Sequence, residues 1–215
     1  MDAGSAFNTT FDNGYRGLQR LIGPLADWLA PRVHANWISG VRPPLAALII
    51  WLLYSGYYWT AFVIYTPTSL LDALDGPVAR RRKSLDFNDD EKFGAFFDAA
   101  SDKFFLLPFL FLLPHWNRWN SGTLVVVNVA AVMTIGIELA LLTIRTVDYL
   151  RDSNGHPASR WGKIKLWVES LGAGGFVLSY PAYESWTAIA GSVLLLISVP
   201  MAFRSLWDKF HNRRS

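Results

Sequence analysis

The chain has 215 residues, 52% of them hydrophobic and 15% aromatic, with ten tryptophans, only 17% charged residues and a formal net charge of +3. The absence of cysteine excludes disulfides, thiol catalysis, zinc fingers and iron–sulfur ligation, and the four histidines share no helix-ligand spacing, so a metal site has to be built from carboxylates. Apolar residues fall in blocks about as long as the ~20 residues that span a bilayer, which describes a membrane protein rather than a soluble domain.

In chain order, the first dozen residues are polar and lack the basic start and short apolar core of a secretory signal. Leu18, Leu21, Ile22, Leu25, Trp28 and Leu29 then recur at helical spacing with Arg16, Arg20 and Asp27 among them, the pattern of an amphipathic helix lying in the membrane interface. Apolar segments follow at 37–54, 59–80, 93–113, 124–148, 164–178 and 186–206. The predicted fold is an all-α integral membrane protein with six transmembrane helices and an N-terminal amphipathic interfacial helix. It forms a single domain: an interfacial segment over 1–35, a six-helix bundle over 36–206 and a tail over 207–215.

The connections 55–58, 114–122 and 179–184 hold one basic residue, Arg118, whereas the other connections and both tails hold nearly all remaining Lys and Arg. The positive-inside bias puts both termini and the larger loops in the cytoplasm of a multi-pass protein in a bacterial inner-membrane type of bilayer. This asymmetry, together with anionic lipid headgroups, accounts for the positive charge without invoking nucleic acid. Within it, the run Arg81, Arg82 and Lys83 reads as a topology signal at the end of a span.

The residues that membrane spans usually exclude are the informative ones. Asp72 and Asp75 lie in the second segment and Asp98 and Asp102 in the third, all near the cytoplasmic ends. A charge at membrane depth costs ~2.5–3.5 kcal/mol on insertion scales, so four carboxylates require a compensating partner. At ~100° per residue Asp72, Asp75, Gly76, Ala79 and Arg80 share one face of about 140°, and Gly94, Asp98 and Asp102 one of about 80°. Two such faces, with small residues interleaved, can approach each other and hold hard cations, Mg²⁺ or Mn²⁺, between their carboxylates. A two-metal site is expected.

Asp72-Ala-Leu-Asp75-Gly76-Pro-Val-Ala79-Arg80 and Gly94-Ala-Phe-Phe-Asp98-Ala-Ala-Ser-Asp102 resemble the D-x-x-D-G-x-x-A-R…G-x-x-x-D-x-x-x-D signature of the CDP-alcohol phosphotransferases, with all eight fixed positions present. The stretch between Arg80 and Gly94 is longer than usual in that family, and Leu85 to Glu91 reads as a small acidic insertion that lengthens a cytoplasmic loop without moving the site. Within the family the closest likeness is to the phosphatidylglycerophosphate synthases. It is carried by Asn36-Trp-Ile-Ser-Gly-Val-Arg42, by Phe93 through Lys103, and by Ala158-Ser-Arg-Trp-Gly162-Lys163-Ile-Lys165. The chain departs from them at Ile137, where those synthases carry Arg, and at Leu166 and Glu169, where they carry Thr and Gln.

The resemblance implies phospholipid biosynthesis: metal-dependent transfer of a phosphatidyl group from CDP-diacylglycerol to sn-glycerol 3-phosphate, with release of CMP. It implies that two divalent cations, Mg²⁺ or Mn²⁺, are held by Asp72, Asp75, Asp98 and Asp102. It further implies that Asp72, Gly76, Ala79, Arg80 and Gly94 receive the CDP group and that Asp102 is the general base. Arg42, Arg145, Lys163 and Lys165 are the candidates for an acceptor carrying phosphate, with Glu138, two helical turns before Arg145, expected to hold it by an ion pair. Other acceptors or donors (serine, inositol or its phosphate, phosphatidylglycerol, CDP-choline) stay open, as does a homodimer. A cation transporter is the remote alternative, but it would spread its carboxylates across the membrane depth instead of clustering them at one end.

Overall fold

In the computed structural model, residues 17, 22–87, 89–112, 121–151, 160–182 and 185–211 are described, and among them there is no strand. Residues 22–29 form α1. There follow α2 (Ala35–Gly40), α3 (Arg42–Tyr54), α4 (Tyr58–Leu70), α5 (Asp72–Ser84), α6 (Glu91–Leu112), α7 (Ser121–Leu150), α8 (Arg160–Ala182) and α9 (Ser185–His211). The helices lie where the six apolar segments were read, with the first segment divided between α2 and α3 and the second between α4 and α5. Among the described residues three stretches, Ala35–Tyr54, Ser121–Leu150 and Trp186–Ser205, are long and apolar enough to cross a membrane. Three helices outside those stretches carry much of the charge: α5 and α6 hold the aspartates, and α8 holds Lys165 and Glu169.

The divisions have local causes. Pro43 and Pro44 follow Arg42 in the first turn of α3. They offer no N–H to the carbonyls of Ser39 and Gly40, so the helix pauses at Val41 and restarts, as proline at a helix start allows. In the second segment Pro67 lies inside α4 three residues before its end. The chain recovers at once, with the Leu71 N–H bonded to the Pro67 carbonyl at 3.1 Å. Both pauses fall at the depth of the charged residues, and the first puts Ser39 and Arg42 on either side of a joint.

Packing then brings the joints together. α2 lies against α5 and α6, α3 against α4 and α6, and α4 against α8, with α7, α8 and α9 closing the other side. Tyr65 on α4 stacks on Phe105 and meets Phe109 edge-on, both on α6, and its hydroxyl donates to the Ser170 carbonyl of α8 at 2.6 Å. The α8–α9 crossing is the tightest: a Cβ on Gly191 would stand 2.5 Å from the Gly172 carbonyl oxygen, and one on Gly175 would stand 3.0 Å from the Gly191 Cα. Only glycine permits this approach. A second, smaller core joins Ala26 and Ala30 to Ala35, Ile38 and Val78, which fastens α1 to α2 and α5 and leaves Leu25 and Trp28 facing outward. Leu18, Leu21, Arg16 and Arg20 of the expected interfacial helix lie outside the described residues.

Candidate active site

Asp72 begins α5 and Asp75 follows one turn later, while Asp98 and Asp102 are successive turns of α6. The i, i+3 and i, i+4 spacings keep each pair on one face, and the contact of α2 with both helices turns the faces inward. Asp72, Asp98 and Asp102 each offer a carboxylate oxygen within 4.8 Å of the others. Asp75 and Asp98 are joined through α2: Ser39 Oγ lies 3.1 Å from Asp75 Oδ2 and 3.3 Å from Asp98 Oδ1, so its hydroxyl hydrogen serves either carboxylate. Asp75 and Asp102 are buried, and Ser39 is 2% exposed. The four carboxylates therefore form one cluster, as their spacing predicts, with a serine between two of them.

Such a cluster needs positive charge, and among the described residues Arg42 pairs with it directly. Arg42 is 1% exposed; its Nη1 lies 3.1 Å from Asp72 Oδ1 and also pairs with Asp102, while its Cζ lies 5.3 Å from the centre of the Phe105 ring. One guanidinium thus neutralises one aspartate from each helix. Oxygen donors on converging faces, with negative charge exceeding what Arg42 balances, are the donor set that Mg²⁺ or Mn²⁺ prefers.

The remaining candidates are distributed unevenly around this cluster. Arg80 is exposed and lies back along α5: its Nη1 is 3.5 Å from where a Gly76 Cβ would be, and the side chain lines a groove of roughly 300 Å³ between α1 and α5 with Gly23, Ala26, Asp27 and Ser84. Ala79, on the same helix, is exposed. Gly94 accommodates a neighbour, since a Cβ there would stand 3.2 Å from Asn36 Oδ1 of α2. Arg145 on α7 is half-buried, and its charge acts on Asp98. Lys163 belongs to α8, but its side chain lies outside the described residues.

Lys165 is engaged elsewhere. It pairs with Glu138, which Lys103 also contacts, and lies 3.3 Å from Glu169 Oε2; Ser198 of α9 donates to Glu169 Oε1 at 3.2 Å. The expected pair between Glu138 and Arg145 is therefore not the one formed. Seven residues along a helix is a rise of about 10.5 Å, whereas the two lysines come to Glu138 sideways from α6 and α8. Two lysines and two glutamates cancel in a buried network beside the aspartates. Sequence reasoning assigned Ser39, Lys103 and Glu169 no role, although Ser39 and Lys103 stand inside stretches that carry the family likeness.

A family profile for CDP-alcohol phosphatidyltransferases matches residues 32–203, from the turn before α2 into α9 and across all four aspartates. The chain belongs to this family. It is accordingly a transferase of the CDP-alcohol phosphatidyltransferase class. A protein of Pseudomonas fluorescens named CDP-diacylglycerol–glycerol-3-phosphate 3-phosphatidyltransferase is 27% identical over 168 residues, covering 75% of this chain and 80% of that protein. A Haemophilus influenzae protein of the same name is 27% identical over 149 residues, 68% of this chain and 71% of its own length. An uncharacterised protein of Aquifex aeolicus is 28% identical over 179 residues, 82% and 77% of the two chains. No solved structure matches at a significant level.

Proposed function

We propose that the protein transfers the phosphatidyl group of CDP-diacylglycerol to sn-glycerol 3-phosphate, yielding phosphatidylglycerophosphate and CMP. The observation that carries this reading is the convergence of Asp72, Asp98 and Asp102 within 4.8 Å, with Asp75 tied in through Ser39, in a chain of this family. The two relatives named for that reaction support the choice of donor and acceptor. The donor set fits two divalent cations, which when bound supply Lewis-acid activation of the pyrophosphate and neutralise charge on the departing CMP.

The chain's own groups do the rest. An acceptor hydroxyl attacks the phosphorus that bears the diacylglycerol; a new P–O bond forms as the bond to CMP breaks, and the hydroxyl proton passes to a carboxylate oxygen of Asp102. Arg42 orients that carboxylate. Its Nε is buried without a hydrogen-bond partner among the described residues and suits a phosphate oxygen. Gly76, Ala79, Arg80 and Gly94 frame the nucleotide side, and Arg145, with Lys163, forms the acceptor side. Positioning and charge stabilisation supply most of the rate. Six membrane-spanning helical runs with both termini and the site on the cytoplasmic face complete the reading, and a reporter after Ser215 should be cytoplasmic while a tag at Asn120 is reached from outside.

One observation favours a second acceptor class. Lys165 is paired with Glu138 and Glu169, which leaves less positive charge for a phosphorylated acceptor and suits an alcohol without a phosphate. The deciding experiment offers purified enzyme CDP-diacylglycerol, Mg²⁺ or Mn²⁺ and each alcohol in turn, following CMP and lipid product. Glycerol 3-phosphate should be the best acceptor, and EDTA or Asp98→Asn should abolish turnover. Preference for inositol or serine would transfer the reaction to that alcohol, and full activity after chelation would remove the metals.

A further inference from the structure

The basic run at the end of α5 and the acidic insertion after it form a unit that neither the metal nor the nucleotide reading uses. Arg82 is 8% exposed, although it stands among charged residues at a helix end where solvated side chains are usual. Its Nε and Nη2 hold both oxygens of Asp89, at 2.6 and 3.1 Å. Its Nη1 donates to the carbonyl of Ala30 at 2.8 Å, and Phe87 covers its face, 4.2 Å from Cζ to the ring centre. The two-point fork on a carboxylate is the geometry a guanidinium makes and an ammonium does not.

The local chain is built to close this loop. Asp86 has φ of 60°, a left-handed turn that aspartate tolerates better than most residues. The turn carries Phe87 back so that its N–H reaches the Arg82 carbonyl at 3.2 Å. Asp90 then caps α6, its Oδ1 accepting the N–H groups of Lys92 and Phe93 at 3.0 Å. The described residues of the insertion thus form a folded return from α5 to α6 and not merely a longer loop.

Its far end reaches α2. His34 Nε2 lies 3.0 Å from Asp89 Oδ1, and its Nδ1 accepts the Asn36 N–H at 3.1 Å as the N-cap of α2. Asp89 therefore receives Arg82 from α5 and His34 from the start of α2, and Arg82 in turn holds Ala30 before that start. Five residues along α2 from this cap is Ser39, which bridges Asp75 and Asp98.

We propose that Arg82, Asp89 and His34 are positioning residues: a clasp across α1, α2 and α5 that sets the place of α2 and, through Ser39, the spacing of Asp75 and Asp98. A six-residue helix has little stability of its own, so its place is decided by what holds its ends. One end is held by Arg42 among the aspartates and the other by this clasp. The inference rests on the proposed cation-binding role of the aspartates, and two independent readouts separate the two ideas.

The test compares Asp89→Asn, Arg82→Lys and Asp86→Asn, each in detergent or nanodiscs, with wild type. Mn²⁺ binding is followed by the electron paramagnetic resonance signal of free Mn²⁺, and amide hydrogen exchange is followed by peptide mass spectrometry. Partners that orient metal ligands are worth about ten- to a hundredfold in affinity, and a clasp acting one step further out should be worth about three- to tenfold. Asp89→Asn and Arg82→Lys should weaken Mn²⁺ binding by that factor and speed exchange in residues 35–40 while α8 and α9 stay protected. Asp86→Asn removes the same charge from an exposed position and should change neither. In a Ser39→Ala background, Asp89→Asn should add little to the loss of Mn²⁺ affinity, because both act through one hydroxyl. Arg82→Lys keeps the charge and serves if Asp89→Asn does not fold. Wild-type exchange over residues 35–40 in both variants, or a lowered melting temperature with an unchanged Mn²⁺ constant, would overturn the proposal. Absence of saturable Mn²⁺ binding in the wild type would instead strike the metal reading, and the exchange data would still decide the clasp.

Discussion

Replacing Arg42 with methionine keeps an apolar side chain of similar length against Phe105 but removes the one guanidinium that touches both Asp72 and Asp102. Because Arg42 is 1% exposed and Asp102 is 7% exposed, water cannot take over the lost charge. Breaking a buried pair by deleting one partner costs about 3–5 kcal/mol, since the other is left uncompensated. For a protein of this size each kcal/mol moves the melting temperature by roughly 2–4 °C, so the metal-free variant should melt about 6–20 °C lower. The absence of cysteine rules out thiol-reactive dyes, but ten tryptophans make intrinsic fluorescence a direct readout. Added Mn²⁺ should recover much of the loss, because a cation between the same carboxylates replaces the missing charge, and it should raise the variant's melting temperature more than the wild type's. A metal-free variant that melts within about 2 °C of wild type would refute the electrostatic account of Arg42; at 2–4 °C per kcal/mol this leaves no room for a 3 kcal/mol loss. An equal Mn²⁺ effect on both proteins would refute the sharing of carboxylates between the arginine and the cations.

Three further outcomes are expected. Arg145→Ala should raise the Michaelis constant for glycerol 3-phosphate roughly ten- to a hundredfold, from ~1.5–3 kcal/mol of charge-assisted contact, with that for CDP-diacylglycerol nearly unchanged; an unmoved acceptor constant would remove Arg145 from the acceptor side. Gly191→Ala forces a Cβ to within 2.5 Å of the Gly172 carbonyl oxygen and should lower stability by about 1–3 kcal/mol, measured as a lower melting temperature in detergent. The hydrogen bond from Arg82 holds the Asp89 carboxyl below the usual carboxylate range, so the stabilisation by this pair is complete above about pH 4 and is lost as acid titrates the folded carboxylate. The gap in melting temperature between wild type and Asp89→Asn should accordingly narrow as the pH falls below about 4.

Much of the site was legible before the fold was known, because it is written in local spacing. Aspartates three or four residues apart must share a helix face whatever surrounds them, and Gly94 marks where a neighbour, Asn36 of α2, approaches. The apolar blocks likewise announced helices at the observed places, since 3.6-residue periodicity and length belong to a single segment. Arg82 was less legible: a basic residue ending a span usually marks topology, and nothing in its neighbours says that it will be buried on Asp89 and Ala30.

The sequence by itself determined the helices, the carboxylate faces and the family. Tertiary structure alone decided the partners of the charges: Arg42 with Asp102 across 60 residues, Lys103 and Lys165 with Glu138, and Ser39 between Asp75 and Asp98. The reason is geometric. A residue's face on its own helix follows from a fixed rotation per residue, but which side chain meets it from another helix depends on how far the two helices slide and turn against each other. Here that is set by remote contacts, among them the prolines that divide α2 from α3 and the glycines that let α8 and α9 close together.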